Sequence, residues 1–264
     1  MKTHNRIARL LALVALLCCA ALTLSSCSVL LSGGVVEVIG EMKTYEVEEV
    51  VNRVEIALDG ADLEIRVGDK FEVESNHRYL DVYERAGQLI ISEKTRVIPS
   101  YTGFAKVILY VPENVELDNF RIEAGAGKVL AEQISTKKLQ MTLGAGSVEI
   151  DKLLVSESAT VSGGAGMLAI YDGSIKGLQL EMGVGALGLA ARLQGENLLT
   201  LGVGNANVIL DGTAADYSIA YTQGLGTATL DGEEMVDGEI YGKGETDVYF
   251  VGGVGTLTVA FEES

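Results

Sequence analysis

Few side chains in this chain could do chemistry unaided. Its 264 residues hold two histidines, three cysteines and 37 acidic residues, against 20 Lys and Arg and no Trp. Nucleophilic hydrolysis of the Ser-His or Cys-His kind needs an imidazole held beside the nucleophile. One histidine, His4, lies near the N-terminus. The other, His77, sits in Ser75-Asn76-His77-Arg78, which reads as a strand end or turn with a solvated or hydrogen-bonded structural imidazole. Zinc asks for three or four Cys, His or carboxylate ligands, and that supply is missing. Glycoside hydrolysis asks for two carboxyl groups converging across one face. The acids here are scattered: Glu46, Glu48 and Glu49, then Asp151, Asp172, Asp211 and Asp231. Gly163-Gly164-Ala165-Gly166-Met167-Leu168 opens like a calcium-binding repeat but puts Leu168 where that repeat needs Asp. The pairs Asp172-Gly173, Asp211-Gly212 and Asp231-Gly232 are accounted for by turn geometry. A phosphate cradle needs a helix after its Gly-x-Gly, and here strand follows strand. A net charge of −17 argues against nucleic acid, whose phosphates demand a basic face. The expectation is no catalytic residue, no metal and no cofactor.

The N-terminus reads as an address. Lys2, Arg6 and Arg9 precede a mostly apolar run from Ile7 to Leu24, and Leu24-Ser25-Ser26-Cys27 follows. This resembles a bacterial lipobox: small residues give a peptidase room, and the Cys27 thiol accepts the acyl chain. The competing reading is a retained transmembrane helix, since the apolar stretch is about the 20 residues a span requires. Either reading places the remainder outside the cytoplasmic membrane. Cleavage after residue 26 removes three bases, His4, Cys18 and Cys19, leaving −20, one histidine and one cysteine. No internal disulfide is then possible, so packing and backbone hydrogen bonds must hold the fold.

A repeat governs the rest. Gly125-Ala126-Gly127 recurs as Gly144-Ala145-Gly146, Gly164-Ala165-Gly166, Gly183-Val184-Gly185 and Gly202-Val203-Gly204, at steps of 19, 20, 19 and 19 residues. Gly224-Leu225-Gly226 follows after 22 and Gly253-Val254-Gly255 after 29. Apolar residues alternate on either side, as in Leu139, Met141 and Leu143, then Val148 and Ile150. Period two means strand, because successive side chains face opposite sides. By that parity Ala145 faces inward with Leu143. Val148 is an odd step further on, so the chain must bend or bulge at the second glycine. About 20 residues per turn suits one coil of a β-helix, whose equivalent strands stack about 4.8 Å apart. Stability should be nearest-neighbour in character, and the ends need caps.

Residues 36–118 are less regular. Strands are expected at 35–38, 54–58, 63–67, 71–73, 88–91 and 106–111, with a loop around Pro99-Ser100 and Gly103. This half reads as the first coils with longer excursions. The domain plan is a signal peptide at 1–26, a short anchor lead at 27–36 and one β-helix domain at 37–264.

The run Val111-Pro112-Glu113, then Phe120-Arg121-Ile122-Glu123-Ala124-Gly125-Ala126-Gly127 and Leu143-Gly144-Ala145-Gly146-Ser147-Val148-Glu149-Ile150, resembles the bacterial adhesin-like β-helix family, a domain of unknown function. Ile56-Ala57-Leu58-Asp59-Gly60-Ala61-Asp62-Leu63-Glu64-Ile65 fits its opening coil. The resemblance covers roughly residues 50–260, and the 226–253 insertion departs from it as a cap or a functional loop. It implies an all-β, right-handed parallel β-helix on the cell envelope, often lipid-anchored, with no enzymatic activity and no agreed ligand. Tyr217, Tyr221, Tyr241 and Tyr249 gather near the C-terminal coils. Tyrosine suits sugar and protein contacts but also sheet surfaces, and the sheet reading is favoured. The reading that follows is a non-enzymatic, membrane-anchored envelope lipoprotein presenting a face to a protein or a glycan. The alternatives are an envelope-stress or assembly component that binds a membrane protein, and a carbohydrate-active enzyme.

Overall fold

Alternation of apolar and polar residues drives the whole chain into strands. The computed structural model describes residues 38–94 and 105–262. Cys27, the peptide before it, most of the strand expected at 35–38 and the loop around Pro99 and Gly103 lie outside the described residues. The first seven strands are β1 (Ile39–Glu46), β2 (Arg53–Leu58), β3 (Asp62–Gly68), β4 (Glu72–His77), β5 (Leu80–Arg85), β6 (Gln88–Glu93) and β7 (Lys106–Pro112). The glycine repeats follow in β8 (Leu117–Ile170), β9 (Gly173–Lys176), β10 (Leu178–Gln194) and β11 (Glu196–Asp211). The last six are β12 (Tyr217–Thr222), β13 (Thr227–Leu230), β14 (Glu233–Glu234), β15 (Ile240–Gly242), β16 (Thr246–Val251) and β17 (Val254–Glu262). All of them belong to one sheet, and the described residues contain no helix.

The repeat strands stack in parallel, one repeat out of step. Leu180 of β10 lies opposite Val161 of β8 on one side and Leu199 of β11 on the other. This register brings like residues into columns. Leu168, Leu187, Ala206, Leu257 and Ala228 form one buried column, and Ile170, Leu189, Val208 and Val259 another. Each buried Val, Leu or Ile contributes about 1.5–3 kcal/mol through loss of apolar surface from water. Two buried polar side chains join neighbouring windings. Asn197 Oδ1 accepts the Leu178 N–H at 2.9 Å, and its amide donates to the Asp247 carbonyl at 3.1 Å. The Thr136 hydroxyl lies 3.0 Å from both the Leu117 and Lys138 carbonyls.

At both ends, order in space departs from order in sequence. The winding after β11 is not β12–β13 but β16–β17: Gly204 lies opposite Gly255, and Ala206 opposite Leu257. β12 and β13 pair with the far side of β16 and β17. The chain therefore overshoots by one layer, makes β12 and β13, and returns to fill the gap with its last two strands. This accounts for the steps of 22 and 29 residues, which serial stacking leaves unexplained. The N-terminal end mirrors it. β2 and β3 lie between β8 on one side and β6 and β7 on the other.

Antiparallel strands cover both ends. β5 pairs with β6, β4 with β7, and β1 with β4. At the other end β15 pairs with β12 and β14 with β13. No strand was expected at β5, β14 or β15; the last two have only two and three residues. An exposed ladder edge invites another chain, and short antiparallel covers limit that.

Candidate interaction surface

The glycine corner is where neighbouring windings come closest. At Gly185 φ is +146°, and at Gly204 +143°. A Cβ built on Gly185 falls 1.7 Å from the Gly166 carbonyl oxygen, and one on Gly204 the same distance from that of Gly185. Only glycine meets both demands, the unusual φ and the missing side chain. Positive φ at the second glycine of the repeat turns the chain onto its next face.

The residue between the two glycines points outward, not inward. Ala126, Ala145, Ala165, Val184, Val203, Val254 and Leu225 are all exposed, whereas Leu143 is half-buried. The reason is the corner itself. Both flanking glycines press on the winding behind, so the residue between them must face solvent. The signal was present in the sequence as two crowded glycines around each aliphatic residue. Register aligns the outward residues: Ala165 opposite Val184, Val184 opposite Val203, Val203 opposite Val254. The result is a ridge that grows from alanine to valine to leucine. Apart from Lys128, which follows Gly127, neither the ridge nor the positions directly flanking its glycines carry a charge. On a chain of −17 that is an unusual surface.

The four tyrosines do not share a face. Tyr217 and Tyr221 are core residues, Tyr241 is half-buried and Tyr249 is exposed. Tyr217 stacks on Phe261 with ring centroids 5.8 Å apart, and its hydroxyl donates to the Asp211 carbonyl at 2.6 Å. Burial raises the Tyr217 pKa above the usual phenol range. The less favoured reading of these rings, a shared contact face, is therefore corrected: two of them fill the C-terminal core.

A cleft of about 310 Å³ lies over Leu130 and Ala131 and is lined by Glu64, Arg66, Glu132, Glu149 and Asp151. Most of its carboxylates are already engaged. Glu64 is bridged by Lys106 and Arg66, Glu149 pairs with Lys128 at 2.9 Å, and Glu132 accepts the Val67 N–H at 2.8 Å. The hydrogen bond from Lys106 holds Glu64 below the usual carboxylate range. A glycosidase acid needs the opposite shift, upward, to keep its proton.

His77 ends β4 and is buried. Its Nδ1 accepts the Tyr79 N–H at 3.1 Å, and Nε2 lies 3.8 Å from Glu93, whose Oε1 accepts the Gly60 and Ala61 N–H groups. Burial lowers the His77 pKa, and Glu93 partly opposes that. The Ser75 hydroxyl bonds backbone groups, the Lys106 carbonyl and the His77 N–H, so it is not set up as a nucleophile on the imidazole. Among the described residues no group of three or more His, Cys, Asp or Glu is placed to hold a metal ion.

With the stack and its glycine corner in view, comparison with known proteins is informative. The profile of the Toastrack DUF4097 family matches residues 48–251. The chain belongs to that family. No curated protein sequence matches it. Among solved structures, a putative adhesin from Bacteroides fragilis aligns with a TM-score of 0.50 at 14% identity, over 83% of this chain and 96% of the other. That likeness is one of fold. A putative adhesin from Parabacteroides distasonis aligns at 0.45 and 16% identity, over 86% and 99% of the two chains. A putative lipid binding protein from the same species aligns at 0.37 and 14%, over 84% and 96%. The Toastrack match ends with the last residue of β16, so β17 lies beyond it.

Proposed function

We propose that this Toastrack chain is a non-enzymatic cell-envelope lipoprotein. Its windings form a right-handed parallel β-helix, and its glycine corner is the face offered to a partner. The observation that carries this reading is the uncharged ridge from Ala126 to Leu225. The stack keeps aliphatic side chains in solvent there, in register, on an otherwise acidic molecule. Such a surface suits a protein better than a glycan, because sugar platforms use aromatic rings and the ridge has none. The adhesin names of structural neighbours agree with a binding role outside the cell. Cys27 supplies the anchor.

Two measurements test the reading. Labelling cells with a clickable fatty acid marks the wild-type protein and not Cys27→Ala; label persisting in that variant sinks the anchor. Replacing Val184, Val203 and Val254 together with Lys leaves the melting temperature near wild type and abolishes recovery of a protein partner from detergent-solubilised envelopes. Equal recovery by both forms removes the ridge from the function, and recovery of wall glycan alone replaces the partner class.

A further inference from the structure

The stack ends thinly at β14 and β15, which supply two and three residues of cover. Three large aliphatic side chains there stand in solvent: Leu225 is 88% exposed, Ile240 69% and Val236 51%. They belong to one region. Ile240 lies opposite Ala220, Gly238 donates to the Tyr221 carbonyl at 3.1 Å, and Asp237 accepts the Gln223 N–H at 2.9 Å. The segment from Val236 to Ile240 thus runs along residues 220–223, two positions short of Leu225.

Carboxylates rim this region without cationic partners. Glu233, Glu234, Asp237, Glu239 and Glu245 are exposed, and none forms an ion pair among the described residues. Beyond Arg192 the sequence holds twelve acids and one base, Lys243. Elsewhere acids and bases alternate and pair, as in Lys94–Asp81, Lys128–Glu149 and Lys137–Asp118. An apolar patch inside an uncompensated acidic rim selects its occupant by charge. A second copy brings the same negative rim and is repelled, and the two short edge strands give it little ladder to extend.

We propose that the C-terminal end of the stack is a docking surface for a basic segment of another protein. Aliphatic side chains of that segment cover Leu225, Val236 and Ile240, and its Lys or Arg residues face Glu233, Glu234, Asp237 and Glu239. The site shares Leu225 with the ridge but uses none of its valines, so a ridge variant confined to Val184 and Val203 separates the two readings.

The test uses the chain from Cys27 onward and a fluorescent peptide of alternating lysine and valine. Anisotropy should show saturable binding that weakens steeply with salt, since exposed charges are screened within about 10 Å at 0.1 M. Affinity should fall roughly tenfold in Glu233→Gln/Glu234→Gln/Glu239→Gln and again in Leu225→Ser/Ile240→Ser. It should not change in Glu41→Gln, at the opposite end, or in the uncharged ridge variant Val184→Ser/Val203→Ser. All these positions are exposed, and unchanged melting verifies that each variant folds. Unchanged affinity in both end variants overturns the proposal, as does equal binding of a glutamate–valine peptide. Self-association in sedimentation that Ile240→Ser abolishes assigns the end to a second copy instead. A melting shift by calcium alone, lost in the Gln variant, reduces it to a cation site.

Discussion

The two ends of the molecule solve one problem with unequal means. Each is built by overshoot: the outermost parallel winding is made of strands that are not outermost in sequence, and a stretch from elsewhere fills the layer beneath. β2 and β3 fill it at one end, β16 and β17 at the other. The cover then differs. At the N-terminal end β1, β4 and β5 supply eight, six and six residues, and the cover buries Val73, Ser75, His77 and Leu80. At the C-terminal end β14 and β15 together supply five residues and leave Ile240 in solvent. Interleaving is thus the shared device of closure, and the amount of cover is free to vary. One end carries the longer cover, on which Met42, Val50 and Tyr83 still stand exposed, and the other carries a much shorter one.

Removing residues 246–264 gives the largest expected effect. It takes away the layer beneath β12 and β13, so hydrogen-exchange protection should vanish from β12 to β15 and persist in β8 and β10. Continued protection of β12 would mean that it can restack on β11, and interleaving would lose its structural importance. Next comes a paired glycine test. Gly204→Ala drives a Cβ within 1.7 Å of a backbone oxygen, whereas at Gly127, near the N-terminal end, the nearest atom is 3.0 Å away. We expect a loss of about 4 kcal/mol at Gly204 and about 1–2 kcal/mol at Gly127 by denaturant unfolding. Equal losses would show that positive φ dominates over close approach.

Asn197→Ala should cost about 2 kcal/mol, because it leaves the buried Leu178 N–H without an acceptor. Thr136→Val, in the N-terminal half, should cost about 1 kcal/mol, because it removes a donor and leaves carbonyls in the ladder. A reversed order would place the stronger staple on the other side of the stack. The smallest effect is one of pH. His77 is more readily kept neutral when folded than when unfolded. Its contribution is therefore complete above the ordinary histidine pKa of about 6.5 and is lost as pH falls through and below it. Exchange in β4 and β5, corrected for intrinsic rates, should rise between about pH 7 and 5 while that in β12 does not. His77→Phe should flatten the response. If the variant keeps it, another group is responsible.

The period of the repeat was legible because it records a physical repeat: each winding from Gly125 onward carries the same two glycines at the same corner, whereas Asp59 and Ala61 take those places in the β2–β3 winding. The strands at 54–58, 63–67, 88–91 and 106–111 were legible for the same reason as any half-buried strand. Spatial order was not. Gly224-Leu225-Gly226 and Gly253-Val254-Gly255 use identical grammar, and nothing local says which lies against Gly204. Parity also misled at Ala145, since counting alternation assumes an extended strand and the crowded glycines break it. Tyr217 and Tyr221 left a contact face open beside the favoured sheet reading, because aromatic identity does not encode which face of a strand points inward. Of the interaction surface, only the glycines and their spacing could be seen in advance.

The interleaved C-terminus also bears on how the protein is made. A chain emerging from its N-terminus can lay down the glycine repeats one upon another. The far end must wait, since the strands that complete it are the last to appear and belong beneath ones already synthesised. Completion is thus deferred until β16 and β17 have emerged. The same arrangement acts as a keystone. β16 and β17 are gripped on both edges, by β11 on one side and by β12 and β13 on the other, so the strands that close the stack leave neither of their own ladders open.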